Sequence, residues 1–141
     1  MPVHIFFSLF INVSVETIHT MTKKNLNVLI VEDEPDICFL LSSILRQKSL
    51  RTSYVNCLSD AKAALRNELP SILFLDNHLP DGLGIDFIPF VRKKYPDIKI
   101  IMITAHDTPE DRKRSYENGG DYFIAKPFSR LQINEMLEQV N

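Results

Sequence analysis

Four short apolar runs and one weaker, more polar run, each followed by helix signals, constrain this chain more than any other feature. The runs are Asn27–Val31, Arg51–Val55, Ile72–Leu75, Ile98–Ile103 and Tyr122–Ile124, of which Arg51–Val55 is the weaker strand pattern. Each is too short for a helix, and most lack the polar alternation of a strand with one wet face, so they read as strands buried on both sides. Strands alternating with helices imply an α/β fold. Parallel strands joined by right-handed helical crossovers form a doubly wound five-stranded sheet with helices on both faces.

The intervening segments carry matching helix signals. Glu34 and Pro35 open the first helix, in which Ile37, Leu40, Leu41, Ile44 and Leu45 recur on one face. A second helix is expected over Ser59–Glu68, with Ala61, Ala64 and Leu65 inward. Leu79, Pro80, Asp81 and Gly82 form a turn ahead of a third helix, Ile85–Lys94, which Pro89 is expected to kink or to shift towards the proline. Thr108 caps a fourth helix, with Pro109 in its first turn and Gly119 at its end; Tyr116 is its one large apolar side chain, so it is expected to be mobile. Ser129 and Gln132 make a capping box for a last helix, whose Ile133, Met136, Leu137 and Val140 share a face.

Composition excludes several classes. At 141 residues, 45% hydrophobic and net charge −2, the chain suits one soluble domain with no global electrostatic footprint for nucleic acid. The cluster Arg112, Lys113 and Arg114 reads as a solvated helix face. Cys38 and Cys57 lack metal-ligand spacing and read as reduced, buried packing residues. Residues 1–20 differ from the rest. Val3–Val15 is apolar but shorter than the roughly 20 residues of a bilayer span, and it lacks the flanks of a secretory signal. Two readings stay open: Met21 is the true start and residues 1–20 are upstream sequence, or they are a tail that packs on the domain or mediates association. Residues 21–141 form the domain itself.

In such a sheet the strand ends share one rim, where ligands bind. Collected there are Glu32 and Asp33, Asp76, Thr104 and Lys126. No glycine-rich phosphate loop follows the first strand, which weakens nucleotide-binding readings. Three crowded carboxylates repel unless a cation joins them, and hard oxygen donors in this number suit Mg²⁺ better than Zn²⁺. A carboxylate nucleophile, a divalent cation, an ammonium and a hydroxyl together describe phosphoryl transfer to an aspartate.

The strings VLIVEDEP, LFLDNHLPDG, IIMITAHD and YFIAKPFS carry a plain resemblance to the receiver domains of two-component response regulators, of the stand-alone chemotaxis type. It covers about Leu26–Val140. The resemblance implies a flavodoxin-like strand order 2-1-3-4-5 and makes Asp76 the phosphoacceptor. It further implies that Asp33 binds Mg²⁺ directly, that Glu32 acts largely through water, and that the His78 backbone carbonyl is another ligand. Thr104 and Ala105 would bind the phosphoryl group, Lys126 would pair with it, Phe123 would be the aromatic switch, and the Lys126–Pro127 peptide would be cis. The implied donor is a phosphohistidine on a sensor kinase or phosphotransfer protein, and a downstream protein target reads the result.

Two departures from the family pattern matter. Phe123 replaces the commoner tyrosine, so a ring can move inward but offers no hydroxyl. His78 and His106 stand where side chains flank the path of attacking water; they are either tuners of phosphoryl lifetime or solvated loop residues. Three functions compete: a phosphorylatable signalling module, with a phosphorelay intermediate as its variant; a phosphohydrolase, which lacks the second aspartate that His78 displaces; and a constitutive binding module. The signalling module is preferred, as a cytoplasmic monomer or weak dimer that does not itself bind nucleic acid or membrane and is not an enzyme on external substrates. A chain ending at Asn141, just after the last helix, leads us to expect no output domain.

Overall fold

The computed structural model describes residues 26–140; the expectations for residues 1–20 lie outside them. The elements are β1 (Asn27–Val31), α1 (Pro35–Gln47), β2 (Arg51–Val55), α2 (Leu58–Asn67) and β3 (Ile72–Asp76). There follow a two-stranded hairpin, β4 (His78–Leu79) and β5 (Gly82–Leu83), then α3 (Gly84–Lys94), β6 (Lys99–Thr104), α4 (Pro109–Glu117), β7 (Tyr122–Ala125) and α5 (Arg130–Val140). The main sheet is wholly parallel in the order β2-β1-β3-β6-β7, which is the expected 2-1-3-4-5 when the hairpin is set aside.

Alternate residues of each central strand feed opposite cores. Val28, Ile30, Ile72, Phe74, Ile101 and Ile103 pack with Leu41, Ile44 and Leu45 of α1 and with Ile133 and Leu137 of α5. Leu29, Val31, Leu73, Leu75, Ile100 and Met102 pack with Ala61 and Leu65 of α2 and with Ile85, Ile88 and Val91 of α3. A period of two with both faces covered is why the strands are continuous apolar runs. Edge strand β2 has one neighbour and is largely exposed, as its weaker pattern indicates.

Local departures from expectation have identifiable causes. Leu40 is 40% exposed, because the buried stripe of α1 centres on Cys38, Leu41, Ile44 and Leu45 and leaves Leu40 at its edge. Cys57 is only half-buried; its Sγ caps α2 by accepting from the Asp60 amide. The same helix start is capped from afar by Asp81, whose carboxylate accepts from the Leu58 and Ser59 amides at 2.8 and 2.9 Å. Those bonds hold the Asp81 carboxyl below its ordinary range.

Helix α3 begins at Gly84 and keeps Pro89 inside it, so its start is not shifted. Proline has no amide hydrogen to offer the carbonyl four residues earlier, Ile85. The side chain of Asn118 donates to that carbonyl instead, at 2.9 Å. Helix α4 buries just Ser115 and leaves Tyr116 45% exposed. Its basic cluster is solvated, yet each member has an acidic partner: Arg112 with Asp107, Lys113 with Glu117 and Arg114 with Asp86. Thr108 and the reciprocal Ser129–Gln132 box cap α4 and α5 as expected. Among the described residues no helix is long and apolar enough to cross a membrane.

Candidate functional site

All the acidic candidates lie at the carboxyl rim of the sheet. Asp76 is the last residue of β3 and is 4% exposed; Glu32, just past β1, is 2% exposed; Asp33 beside it is open to solvent. One carboxylate oxygen from each falls within 4.8 Å of the others. Such an oxygen-only set has the donor chemistry of a hard divalent cation.

Lys126, just beyond β7, reaches into this cluster. Its Nζ is 2.5 Å from Glu32 Oε1, 2.9 Å from Glu34 Oε1 and 3.4 Å from Asp76 Oδ1. The peptide joining it to Pro127 is cis. Burial by itself would lower the lysine's pKa, but the contacts with Glu32 and Glu34, with Asp76 nearby, hold it above the ordinary range. Glu32 is pushed up to about 7, chiefly by burial; Lys126 opposes the rise and Asp76 adds to it. An ion pair with lysine ought to lower a carboxyl, so this upward shift means that desolvation and the second carboxylate outweigh the single ammonium.

Backbone geometry holds the carboxylates in place. The Glu32 carbonyl accepts from Asn56 Nδ2 at 3.1 Å and Cys38 Sγ at 3.3 Å, and burial raises the Cys38 thiol to about 11. Beyond Asp76, the buried Asn77 takes the Gly84 amide on its carbonyl and the Ile85 amide on its Oδ1. That draws the start of α3 against β3, and a Cβ on Gly84 would lie 2.1 Å from the Asp76 carbonyl oxygen. Glycine there is required by close approach.

Thr104 ends β6 fully buried, and its Oγ1 accepts from the His106 amide at 3.1 Å. Ala105 is exposed in the loop that follows. His78 and His106, both exposed, place their ring centres 4.5 Å apart. Phe123 is 6% exposed, and its ring lies under the Arg112 guanidinium, 4.7 Å from Cζ. Arg112 is in turn held by both oxygens of Asp107 at 2.9 and 3.0 Å.

The structure thus brings together Glu32, Asp33, Asp76 and Lys126, with Thr104 on the strand beside Asp76. Sequence reasoning missed Glu34, read merely as a helix opener, and Asn77 and Asn56. The signal for Glu34 lies in its adjacency to Glu32 and Asp33, but its reach to a lysine 92 positions away is a tertiary fact. Phe123 and Ala105 lie outside the carboxylate cluster.

A parallel doubly wound sheet with an acidic cluster and a lysine at its carboxyl rim places the chain among α/β domains whose site lies at the strand ends. The sequence profile of the response regulator receiver domain matches residues 28–138, and the chain belongs to that family. Among curated relatives, the probable transcriptional regulatory protein TcrX of Mycobacterium tuberculosis is 36% identical over 106 residues, 75% of this chain and 45% of that protein. The phosphate regulon transcriptional regulatory protein PhoB of Escherichia coli is 33% identical over 115 residues, 80% of this chain and 50% of PhoB. The chain spans about half the length of these relatives. Among solved structures, a CheY-like response regulator receiver domain protein of Methanospirillum hungatei superposes with TM-score 0.78 at 25% identity, covering 82% of this chain and 92% of that one. The beryllofluoride-activated NtrC4 receiver domain dimer superposes with TM-score 0.77 at 29% identity, covering 81% and 94%.

Proposed function

We propose that this chain accepts a phosphoryl group on Asp76 and signals through the resulting change of conformation. The observation that carries the reading is the buried Asp76 carboxylate at the end of a central strand, 3.4 Å from Lys126 and clustered with Glu32 and Asp33. An Asp76 oxygen attacks phosphorus, the P–N bond of a phosphohistidine donor breaks, and its electron pair returns to the donor imidazole. Asp33, Asp76 and the His78 carbonyl would hold Mg²⁺, with Glu32 acting through water. Bound there, Mg²⁺ supplies positive charge that keeps Asp76 ionised and offsets charge on the phosphoryl oxygens.

Lys126 would shift from the carboxylates to a phosphoryl oxygen, and Thr104 Oγ1 and the Ala105 amide would bind the others. Movement of Thr104 leaves room for Phe123, whose ring changes place without a hydroxyl to re-bond. His78 and His106 flank the approach of hydrolytic water and set the lifetime of the phosphorylated form. The chain then acts as a switch, with no external substrate turned over.

The donor is a sensor histidine kinase or histidine phosphotransfer protein. Exposed Phe39, at 79%, and Leu131, at 65%, sit on α1 and α5, which pack side by side on one face of the sheet, and suit docking of such a partner. We place the chain in the cytoplasm as a single-domain regulator, monomeric or weakly dimeric, whose target is a protein. The full-length relatives, named as transcriptional regulators, motivate a second reading in which the same domain serves a larger DNA-binding protein.

Intact-mass spectrometry after incubation with acetyl phosphate and Mg²⁺ tests the chemistry. One phosphoryl adduct is expected, absent from Asp76→Asn and absent with EDTA; its decay in His78→Ala and His106→Ala reports on lifetime. A folded protein that binds Mg²⁺ yet forms no adduct would replace this function with constitutive binding.

A further inference from the structure

His78 and His106 reach one spot from distant parts of the chain. One sits on β4, two residues past Asp76, and the other in the loop after β6, two residues past Thr104. Both are exposed, their ring planes are tilted by 54°, and their centres are 4.5 Å apart. Among the described residues neither imidazole has a hydrogen-bonding partner. The ring nitrogens are therefore available, near a cluster of three carboxylates.

We propose that His78 and His106 form a second metal site, taking Zn²⁺ or a similar imidazole-preferring divalent cation. Zinc–nitrogen bonds of about 2.0–2.1 Å on a tetrahedral ion put two ring centres roughly 5 Å apart, a small rotation of exposed side chains from the observed contact. The remaining positions are filled by water. Ligand type separates this site from its neighbour: imidazoles select zinc-like ions, and the oxygen cluster of Glu32, Asp33 and Asp76 selects magnesium-like ones.

The imidazole pair is mechanically linked to the Thr104 hydroxyl. The His106 amide donates to Thr104 Oγ1, so an ion bridging the imidazoles ties the Thr104 loop to the hairpin after β3 and holds the hydroxyl where it now lies. That consequence rests on the receiver chemistry proposed above. Zinc binding itself does not.

Zinc titration of the full chain, followed by calorimetry and by ¹⁵N resonances of the imidazoles, tests both parts. With four histidines in the chain, the resonances of His78 and His106 are expected to move together at one equivalent. Loss of a mere outer-shell partner costs about 10–100-fold in metal affinity, so His78→Ala or His106→Ala should weaken binding at least tenfold. Excess Mg²⁺ and the Asp33→Asn change should leave it unaltered. Absence of binding, equal binding by the double variant H78A/H106A, or loss in Asp33→Asn alone would each overturn the site. For the clamp, zinc should slow phosphoryl uptake from acetyl phosphate in the parent chain and not in H78A/H106A. Equal uptake with zinc bound at the pair overturns the clamp, whereas failure of uptake without zinc overturns the receiver chemistry and leaves the zinc site standing.

Discussion

Glu32 shows how a single residue's environment reverses its usual behaviour. A glutamate paired with lysine normally ionises more readily on folding, but this one is buried beside Asp76 and titrates at about 7 against 4.5 for the ordinary side chain. The fold therefore binds more protons than the unfolded chain between those values. Its stabilising effect is complete below about 4.5 and disappears as pH rises through about 7. Urea unfolding of the metal-free protein in EDTA should show stability falling between pH 5 and 8 relative to Glu32→Gln, by on the order of 3 kcal/mol. A parallel pH profile for the two proteins would remove desolvation of Glu32 as the dominant effect.

Lys126 illustrates the complementary case at the same scale. A single ammonium faces Glu32, Glu34 and Asp76, so it cannot neutralise them all. The spacing of motifs brought out Asp76, Glu32, Asp33, Thr104 and Lys126 because each closes or follows a buried strand. Glu34 and Asn77 also lie just past buried strands, but one looks like a helix start and the other like a loop residue.

Among the elements, α3 and α4 share, besides the Arg114–Asp86 ion pair, a hydrogen bond that Pro89 makes necessary. Asn118 occupies the Ile85 carbonyl that the proline leaves without an amide. Asn118→Ala should destabilise the domain by about 1–2 kcal/mol, the cost of an unsatisfied buried carbonyl. In a Pro89→Ala background the restored helix amide supplies the missing donor, so the same change should cost much less. Chemical denaturation of the four proteins in this cycle measures the coupling; additive losses would mean that the contact does not replace the helix bond. The sequence shows Pro89 plainly, but nothing local announces that its remedy lies in the next helix but one strand away. Asp81 is similar, since a residue read as part of a turn caps α2 from across the loop.

For the whole molecule, the rim is where the fold accepts repulsion. Both faces of the sheet bury continuous apolar cores, while its carboxyl end gathers three carboxylates within 4.8 Å. A cation that binds the folded state alone stabilises it by mass action. Mg²⁺ at about a hundred times its dissociation constant should therefore add about 2.7 kcal/mol, read as a higher urea midpoint than in EDTA. Asp33→Asn should lose most of that increment while remaining folded, because Asp33 is exposed and holds no core contact. An equal increment in that variant would place the cation elsewhere.

The chain by itself determined its architecture and the outline of its site, because apolar run length, helical periodicity and capping are local properties that the backbone converts directly into strands and helices. Alternation of those elements then forces the strand ends onto one rim, which carries Glu32, Asp33, Asp76, Thr104 and Lys126 there together. Tertiary structure alone decided which side chains meet across that rim and between helices: Glu34 with Lys126, Asn118 with Ile85, Arg112 over Phe123, His78 against His106. These contacts depend on distances between elements far apart in sequence. Such distances follow from how two apolar cores pack, and no short window of residues encodes them.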